Sequence, residues 1–129
     1  MVIETSSIVA IFFKEPERDD FLEKIEAAHS CSMSASTLVE LCSIFLRKKE
    51  AVGVAELLAF LELFQIGVID FDHVQALIAV DAYREYGRGR QNRAKLNFGD
   101  CFSYALAKKL GEPLLYKGDD FAWTDVLTA

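Results

Sequence analysis

The sequence has few of the residues on which cross-linked or zinc-bound domains depend. It contains three cysteines, two histidines and two prolines in 129 residues, and no two cysteines have the spacing Cys-x-x-Cys. An odd number of cysteines without that spacing argues against a disulfide framework, and neither histidine pairs with a cysteine at a zinc-ligand spacing. These shortages exclude disulfide-rich and zinc-finger classes, and they favour a reduced, cytoplasmic compartment.

Long hydrophobic runs and an excess of positive charge are also missing. The longest apolar run near the N-terminus covers six residues, Ile8 to Phe13, which is too short to cross a bilayer. Twenty acidic residues oppose 14 basic ones, so the formal net charge is −6. An acidic chain is not expected to coat nucleic acid indiscriminately, although a local site can still handle it. We expect neither a signal peptide nor a membrane partner.

The residues that are present favour one α/β domain over residues 1–129. Hydrophobic residues make up 52% of the chain and charged residues 26%, which is enough to bury a single core. Short strand-like runs alternate with longer helical ones, a pattern typical of a parallel sheet. We predict strands at 2–3, 31–33, 67–71 and 114–116, with helices between them.

Polar residues before apolar stripes predict where the helices begin. Ser6 is the predicted cap of the first helix, and Thr37 with Glu40 fits a T-x-x-E capping box before a helix that reaches about residue 49. Asn97 is the predicted cap of the last helix, whose inner face would include Phe98.

Acidic residues fall at the ends of the predicted elements rather than in the middle of their faces. They are Glu4, Glu40, Asp100 and Asp119, with Asp120 beside the last. The carboxyl ends of parallel strands share one crevice, so acids that are distant in sequence can meet there. Gathered carboxylates suit Mg²⁺, which prefers oxygen ligands and promotes attack of water on a phosphodiester. Helix capping and turn formation would also explain each acid taken singly.

A cluster of basic residues lies just before Asp100. It consists of Arg84, Arg88, Arg90, Arg93 and Lys95, opposed only by Glu85. In an acidic protein such a local reversal of charge can bind a phosphate backbone, so we predict contact with nucleic acid here. The alternative is a solvated loop at a helix C-terminus, where cations are also favourable.

Trp123 is expected to anchor the C-terminal tail by packing.

Four segments resemble PIN-domain ribonucleases of the bacterial VapC toxin type. The most specific is the gapless block LNFGDCFSYALAKKLGEPLLYKGDDF, and the others are MVIETSSIVAIFFKEPE, STLVE and AYREYGRGR. The resemblance implies a three-layer α/β/α sandwich around a short, mostly parallel sheet. It also implies a Mg²⁺- or Mn²⁺-dependent endoribonuclease that cleaves tRNA or rRNA, forms a homodimer and is neutralised by a cognate VapB-like antitoxin.

The resemblance also assigns roles to individual residues. The four catalytic acids of the family fall on Glu4, Glu40, Asp100 and Asp119. Three of them, Glu4, Asp100 and Asp119, would also bind the metal. Ser6 matches the hydroxyl residue that supports the first acid, and Asp120 is the less favoured candidate for the fourth.

One departure from the family pattern concerns the first acid. The family has Asp where this chain has Glu4, and the extra methylene extends the carboxylate by roughly 1.5 Å. Mg²⁺ tolerates displaced ligands poorly, so the longer side chain predicts weaker activity. The alternative function is therefore a catalytically weakened PIN-fold module that binds antitoxin or RNA without efficient cleavage.

Overall fold

The computed structural model describes residues 1–47, 53–91 and 93–129. The strands are β1 (Val2–Ile3), β2 (Cys31–Ser34), β3 (Ile66–Ile69) and β4 (Leu114–Leu115). The helices are α1 (Thr5–Phe12), α2 (Arg18–Ala27), α3 (Ala35–Arg47), α4 (Val54–Leu63), α5 (His73–Tyr86) and α6 (Asp100–Leu110). The predicted extension of α3 to residue 49 lies outside the described residues.

The four strands form one parallel sheet between two layers of helices. Their order is β3-β2-β1-β4, and each neighbouring pair is parallel. Successive side chains of a strand point to opposite faces. Val2 and Leu114 accordingly join the core beneath α5 and α6, whereas Ile3 and Leu115 join the core beneath α1 to α4. The predicted three-layer α/β/α sandwich is confirmed.

The order of the strands creates a crevice at the carboxyl ends of β1 and β4. The chain adds β2 and β3 on one side of β1 and then crosses back to add β4 on the other side. Ligands of open α/β sheets bind at such a reversal, outside the carboxyl ends of the strands. Glu4 is the first residue after β1, and Lys117 follows β4 by two residues.

Three details of the predicted helices are wrong. Glu4 rather than Ser6 caps α1, because its side chain accepts a hydrogen bond from the Ser6 N–H. Thr37 is the third residue of α3 and not its cap, and its hydroxyl bonds instead to Ser103 of α6 at 2.9 Å. Phe98 is 74% exposed, since it precedes α6 and lies outside the buried stripe of that helix.

No helix in the described part of the chain combines the length and apolar character that crossing a membrane requires.

Candidate active site

A pocket of about 470 Å³ opens at the crevice between β1 and β4. Five carboxylates line it, and Lys117 is the one lysine or arginine among its lining residues. The five acids are Glu4, Glu15, Glu40, Asp100 and Asp120. The fold thus brings together three of the four acids predicted from the sequence, namely Glu4 from the end of β1, Glu40 from α3 and Asp100 from α6.

Glu4 lies at the base of this pocket. Its extended backbone ends β1, and its carboxylate accepts hydrogen bonds from the Ser6 N–H at 2.6 Å and from the Ser6 hydroxyl. Burial raises the pKa of Glu4 from 4.5 to about 7, against the opposing effect of the two Ser6 bonds. The negative charges of Asp100 and Glu40 raise this pKa further.

Asp100 is the first residue of α6 and is held by Asn97. The Asn97 N–H donates to Asp100 Oδ2 at 2.6 Å, and the Asp100 N–H donates to Asn97 Oδ1 at 3.0 Å. Burial raises the pKa of Asp100 from 3.8 to about 6, and the negative charges of Asp120 and Glu40 also raise it. Glu4, Glu40, Asp100 and Asp120 therefore interact electrostatically as one group.

Glu40 reaches the pocket from the second turn of α3. The Thr5 hydroxyl donates to Glu40 Oε2 at 3.0 Å. A Cβ atom on Gly99 would lie 2.5–2.7 Å from the carboxylate atoms of Glu40. Sequence reasoning missed both contacts. Gly99 gives no signal of its own because its backbone is helical, so the requirement for glycine comes only from the close approach of Glu40.

Lys117 completes the pocket wall next to Ser6. Its backbone N–H donates to the Ser6 hydroxyl at 2.8 Å, which holds the ends of β1 and β4 together. Its ammonium group forms ion pairs with Glu15 at 2.7 Å and Glu17 at 2.8 Å, and these partners raise the pKa of Lys117. The sequence offered no signal that would have joined Lys117 to Glu15 and Glu17.

The structure separates Asp119 from Asp120. Asp120 lines the acidic pocket and raises the pKa of Asp100. Asp119 lines a neighbouring pocket of about 430 Å³ and is absent from the lining of the acidic one. Asp120 lines this neighbouring pocket as well, so it is the one of the two acids that lines both. The preference for Asp119 as the fourth acid stays a prediction, and the position of Asp120 favours Asp120 instead.

Three of the five predicted basic residues lie beside the acids. Arg88 forms an ion pair with Asp120 at 3.6 Å and donates to the Lys95 carbonyl at 3.1 Å. Arg93 and Lys95 line the neighbouring pocket. Arg84 pairs with Asp81 on α5, and neither Arg84 nor Arg90 lines either pocket.

The donor set fits a hard divalent cation in its chemistry. It consists of carboxylates, whose oxygens are the ligands that Mg²⁺ prefers. Burial raises the pKa values of Glu4 and Asp100 within this set. Within the described ranges, however, no three His, Cys, Asp or Glu side chains already stand in a metal-binding arrangement.

Comparison with known proteins agrees with this architecture. Residues 1–127 match the family model of the PIN domain. Ribonuclease VapC42 of Mycobacterium tuberculosis is 42% identical over 130 residues, covering 100% of this chain and 98% of that protein.

Solved structures with the same fold have much lower sequence identity. The crystal structure of Mycobacterium tuberculosis VapC20, named a Sarcin-Ricin loop cleaving toxin, superposes with a TM-score of 0.78 at 14% identity, covering 99% of this chain and 97% of the other. A toxin–antitoxin complex from Klebsiella pneumoniae contains a chain that superposes with a TM-score of 0.72 at 19% identity, covering 99% and 95%.

Proposed function

The chain belongs to the PIN-domain family and is an RNA-cleaving toxin of the VapC type, and from this premise we propose a divalent-metal-dependent endoribonuclease whose active site is the acidic pocket. The proposed catalytic carboxylates are Glu4, Glu40, Asp100 and Asp120. The observation that carries the proposal is that these four carboxylates line one pocket at the crevice between β1 and β4. Burial, and then the negative charge of the neighbouring acids, raises the pKa values of Glu4 and Asp100. A cation bound among these carboxylates would oppose that effect and favour their charged forms.

Residues of the chain have distinct roles in this proposal. Glu4 and Asp100 are the proposed metal ligands, with Asp120 as a third, and Glu40 orients groups at the pocket mouth. A bound Mg²⁺ or Mn²⁺ would neutralise the carboxylates, acidify a water molecule and stabilise charge on the phosphodiester. Ser6 fixes the Glu4 carboxylate, and Asn97 fixes that of Asp100, so neither acid needs to be ordered during the reaction.

The substrate reaches the pocket beside a basic wall. Arg88, Arg93 and Lys95 are candidates for contact with the RNA backbone, since they lie next to Asp120 or share its pocket. We propose structured RNA, tRNA or rRNA, as the substrate. Hydrolysis adds water across one P–O bond of the backbone and needs no covalent enzyme intermediate.

Cleavage by the purified chain tests this function directly. We expect a tRNA and rRNA panel to be cut in Mn²⁺ or Mg²⁺ and left intact in EDTA, with a loss of at least about a hundredfold for Asp100→Asn. Asp19→Asn is the matched control, because Asp19 is an exposed acid on α2 outside the pocket. Metal-independent cleavage, or full activity of Asp100→Asn, would refute the proposal.

A weakened binding module is the second candidate, and one observation favours it. Oxygen Oε2 of Glu4 already accepts two Ser6 hydrogen bonds, and the residue is only 4% exposed. This oxygen of the longer side chain is thus already engaged by Ser6, and its burial limits the access of a metal to it. Glu4→Asp should increase the cleavage rate if Glu4 limits a real nuclease. If neither form cuts RNA but Mn²⁺ raises the melting temperature, the site binds metal without catalysis.

The partners follow from the same comparisons. We propose a cognate VapB-like antitoxin, supported by the similarity to a chain of a toxin–antitoxin complex. We also propose that the chain is a single domain, acts in the cytoplasm and forms a homodimer. Exposed apolar side chains on α3 and α4 support the dimer, namely Val39, Leu46, Leu58 and Leu63. Sedimentation of the purified chain tests it.

A further inference from the structure

A second pocket lies directly beside the acidic one. It measures about 430 Å³ and is lined by Arg93, Lys95, Asp119, Asp120 and Trp123. Asp120 lines both pockets, so a molecule in the second pocket would lie within one residue of the proposed catalytic acids. The second pocket therefore adjoins the proposed site of phosphodiester cleavage.

Trp123 does not have the packing role expected from the sequence. Its side chain is 48% exposed, and it belongs to neither of the two hydrophobic cores. The guanidinium carbon of Arg93 lies 3.6 Å from the centroid of its ring, a cation–π contact at the surface. Trp123 therefore contributes little to the hydrophobic core, and packing alone does not account for a tryptophan at this position.

The segment that carries Trp123 is nevertheless held in place. The neighbouring Phe121 is buried, and the Thr124 hydroxyl donates to the Phe121 carbonyl at 2.8 Å. The Thr124 N–H donates to the same carbonyl at 3.0 Å. An exposed ring on an ordered turn loses little conformational entropy when it binds a ligand.

The composition of the second pocket matches one nucleotide. Aromatic rings and guanidinium planes stack on bases that are unpaired, and cations attract the adjoining phosphate. Trp123 and Arg93 provide the stacking surfaces, and Lys95 provides a further cation. The carboxylate of Asp119 can accept a hydrogen bond from a base or ribose hydroxyl.

We propose that Trp123, Arg93 and Lys95 form a subsite that holds one unpaired nucleotide of the RNA next to the scissile phosphate. The inference rests on the proposed nuclease function and adds a requirement for a single-stranded nucleotide at the cleavage site. Trp123 is a positioning residue here, since it stacks on a base and does not contact the reacting phosphate.

The fluorescence of Trp123 tests the subsite without relying on cleavage, because it is the only tryptophan in the chain. The full-length Asp100→Asn variant is titrated with a short mixed-sequence single-stranded RNA and with an abasic oligonucleotide of equal charge. We expect saturable quenching by the RNA and little by the abasic strand. Anisotropy of dye-labelled strands reports binding independently.

Each result of the titration separates the two proposals. RNA binding without quenching, or equal quenching by the abasic strand, would overturn the subsite and leave the nuclease proposal intact. Absence of binding to any RNA, together with absence of cleavage by the unmutated chain, would refute the nuclease proposal and the subsite with it.

Steady-state cleavage provides the second readout. We expect Trp123→Ala to raise KM about tenfold with kcat within about twofold, and Trp123→Phe to restore most of the loss. Arg93→Ala should show a smaller rise in KM and keeps the test valid if Trp123→Ala does not fold. Leu127→Ala is the control, since Leu127 is exposed in the same segment and lines neither pocket. Unchanged KM in Trp123→Ala with weaker inhibition by an antitoxin would assign the surface to a protein partner instead.

Discussion

The hydroxyl group of Ser6 accepts a hydrogen bond from the backbone N–H of Lys117 at 2.8 Å, across 111 residues of sequence. The same hydroxyl donates to the carboxylate of Glu4. One side chain therefore links the ends of the two strands, β1 and β4, that flank the crevice. Its position fixes the acid at the base of the pocket relative to the turn that carries Asp120.

Ser6→Ala is expected to weaken metal binding in a pH-dependent manner. The Ser6 hydroxyl lowers the pKa of Glu4, so its loss raises a pKa that already stands at about 7. Protons and a cation compete for the same carboxylate. Calorimetric titration should show Mn²⁺ affinity reduced about tenfold at pH 7, with most of the loss recovered at pH 9.

Ser43→Ala is the control for this measurement, because its hydroxyl bonds within α3 to the Glu40 carbonyl and not to an acid side chain. A loss of affinity in Ser6→Ala that is equal at pH 7 and pH 9 would indicate a purely structural role for Ser6.

Metal-free protein should lose stability as pH rises toward neutrality. The pKa of Glu4 is about 7 in the fold, against 4.5 for an ordinary glutamate, so the unfolded chain releases this proton first. Folding therefore favours the protonated form of Glu4. The contribution of Glu4 to the free energy of unfolding is greatest below about pH 4.5, falls between pH 4.5 and 7, and levels off above about pH 7. One pKa unit corresponds to about 1.4 kcal/mol, so the shift of Glu4 corresponds to roughly 3–4 kcal/mol at most.

Glu4→Gln isolates this contribution from that of Asp100. The pKa of Asp100 is about 6, so its own effect is largely complete at that pH. Urea unfolding in EDTA should show wild-type stability still falling between pH 6 and 7, whereas Glu4→Gln changes little over that interval. Parallel curves for the two proteins would contradict the assigned pKa, and saturating Mn²⁺ should reduce the fall in the wild type.

Asp120→Asn and Asp119→Asn form a matched pair on adjacent residues. Asp120 lines the acidic pocket and interacts with Asp100, whereas Asp119 lines only the neighbouring pocket. We expect kcat to fall about a hundredfold for Asp120→Asn and less than about threefold for Asp119→Asn. Reversed effects in single-turnover cleavage would restore the preference for Asp119 that the sequence suggested.

The sequence predicts the layers of this fold better than the details of its site. Alternation along β1 and β4 determines which face each side chain joins, and acids that end parallel strands must share a crevice. Glu4 ends β1 and Asp100 begins α6, and the structure brings both to that crevice, as expected from their positions at element ends. Their catalytic roles stay predictions. The choice between Asp119 and Asp120 was not predictable in this way, because it depends on the path of the turn after β4.

Contacts between distant segments were beyond the reach of the sequence. From the sequence, Trp123 is expected to anchor the tail by packing. In the structure its ring is half-exposed and lies beneath the guanidinium of Arg93. Lys117 carries no local signal for its pairing with Glu15, which lies 102 residues away. Such pairs are determined by the packing of whole elements rather than by the periodicity of either segment.

Gly99→Ala should impair the site through the close approach of Glu40. The added methyl would lie 2.5–2.7 Å from the Glu40 carboxylate, so the side chain of Glu40 must leave its observed position. The helical backbone at Gly99 accepts alanine without strain, so the fold should persist. We expect RNA cleavage to drop at least about tenfold while the melting temperature stays within a few degrees of the wild type.

Gly67→Ala is the control, since its nearest neighbour would be the Cys31 carbonyl at 3.8 Å, an ordinary contact. Full activity of Gly99→Ala would mean that Glu40 can leave its observed position at no cost to catalysis, and would remove it from the set of catalytic acids.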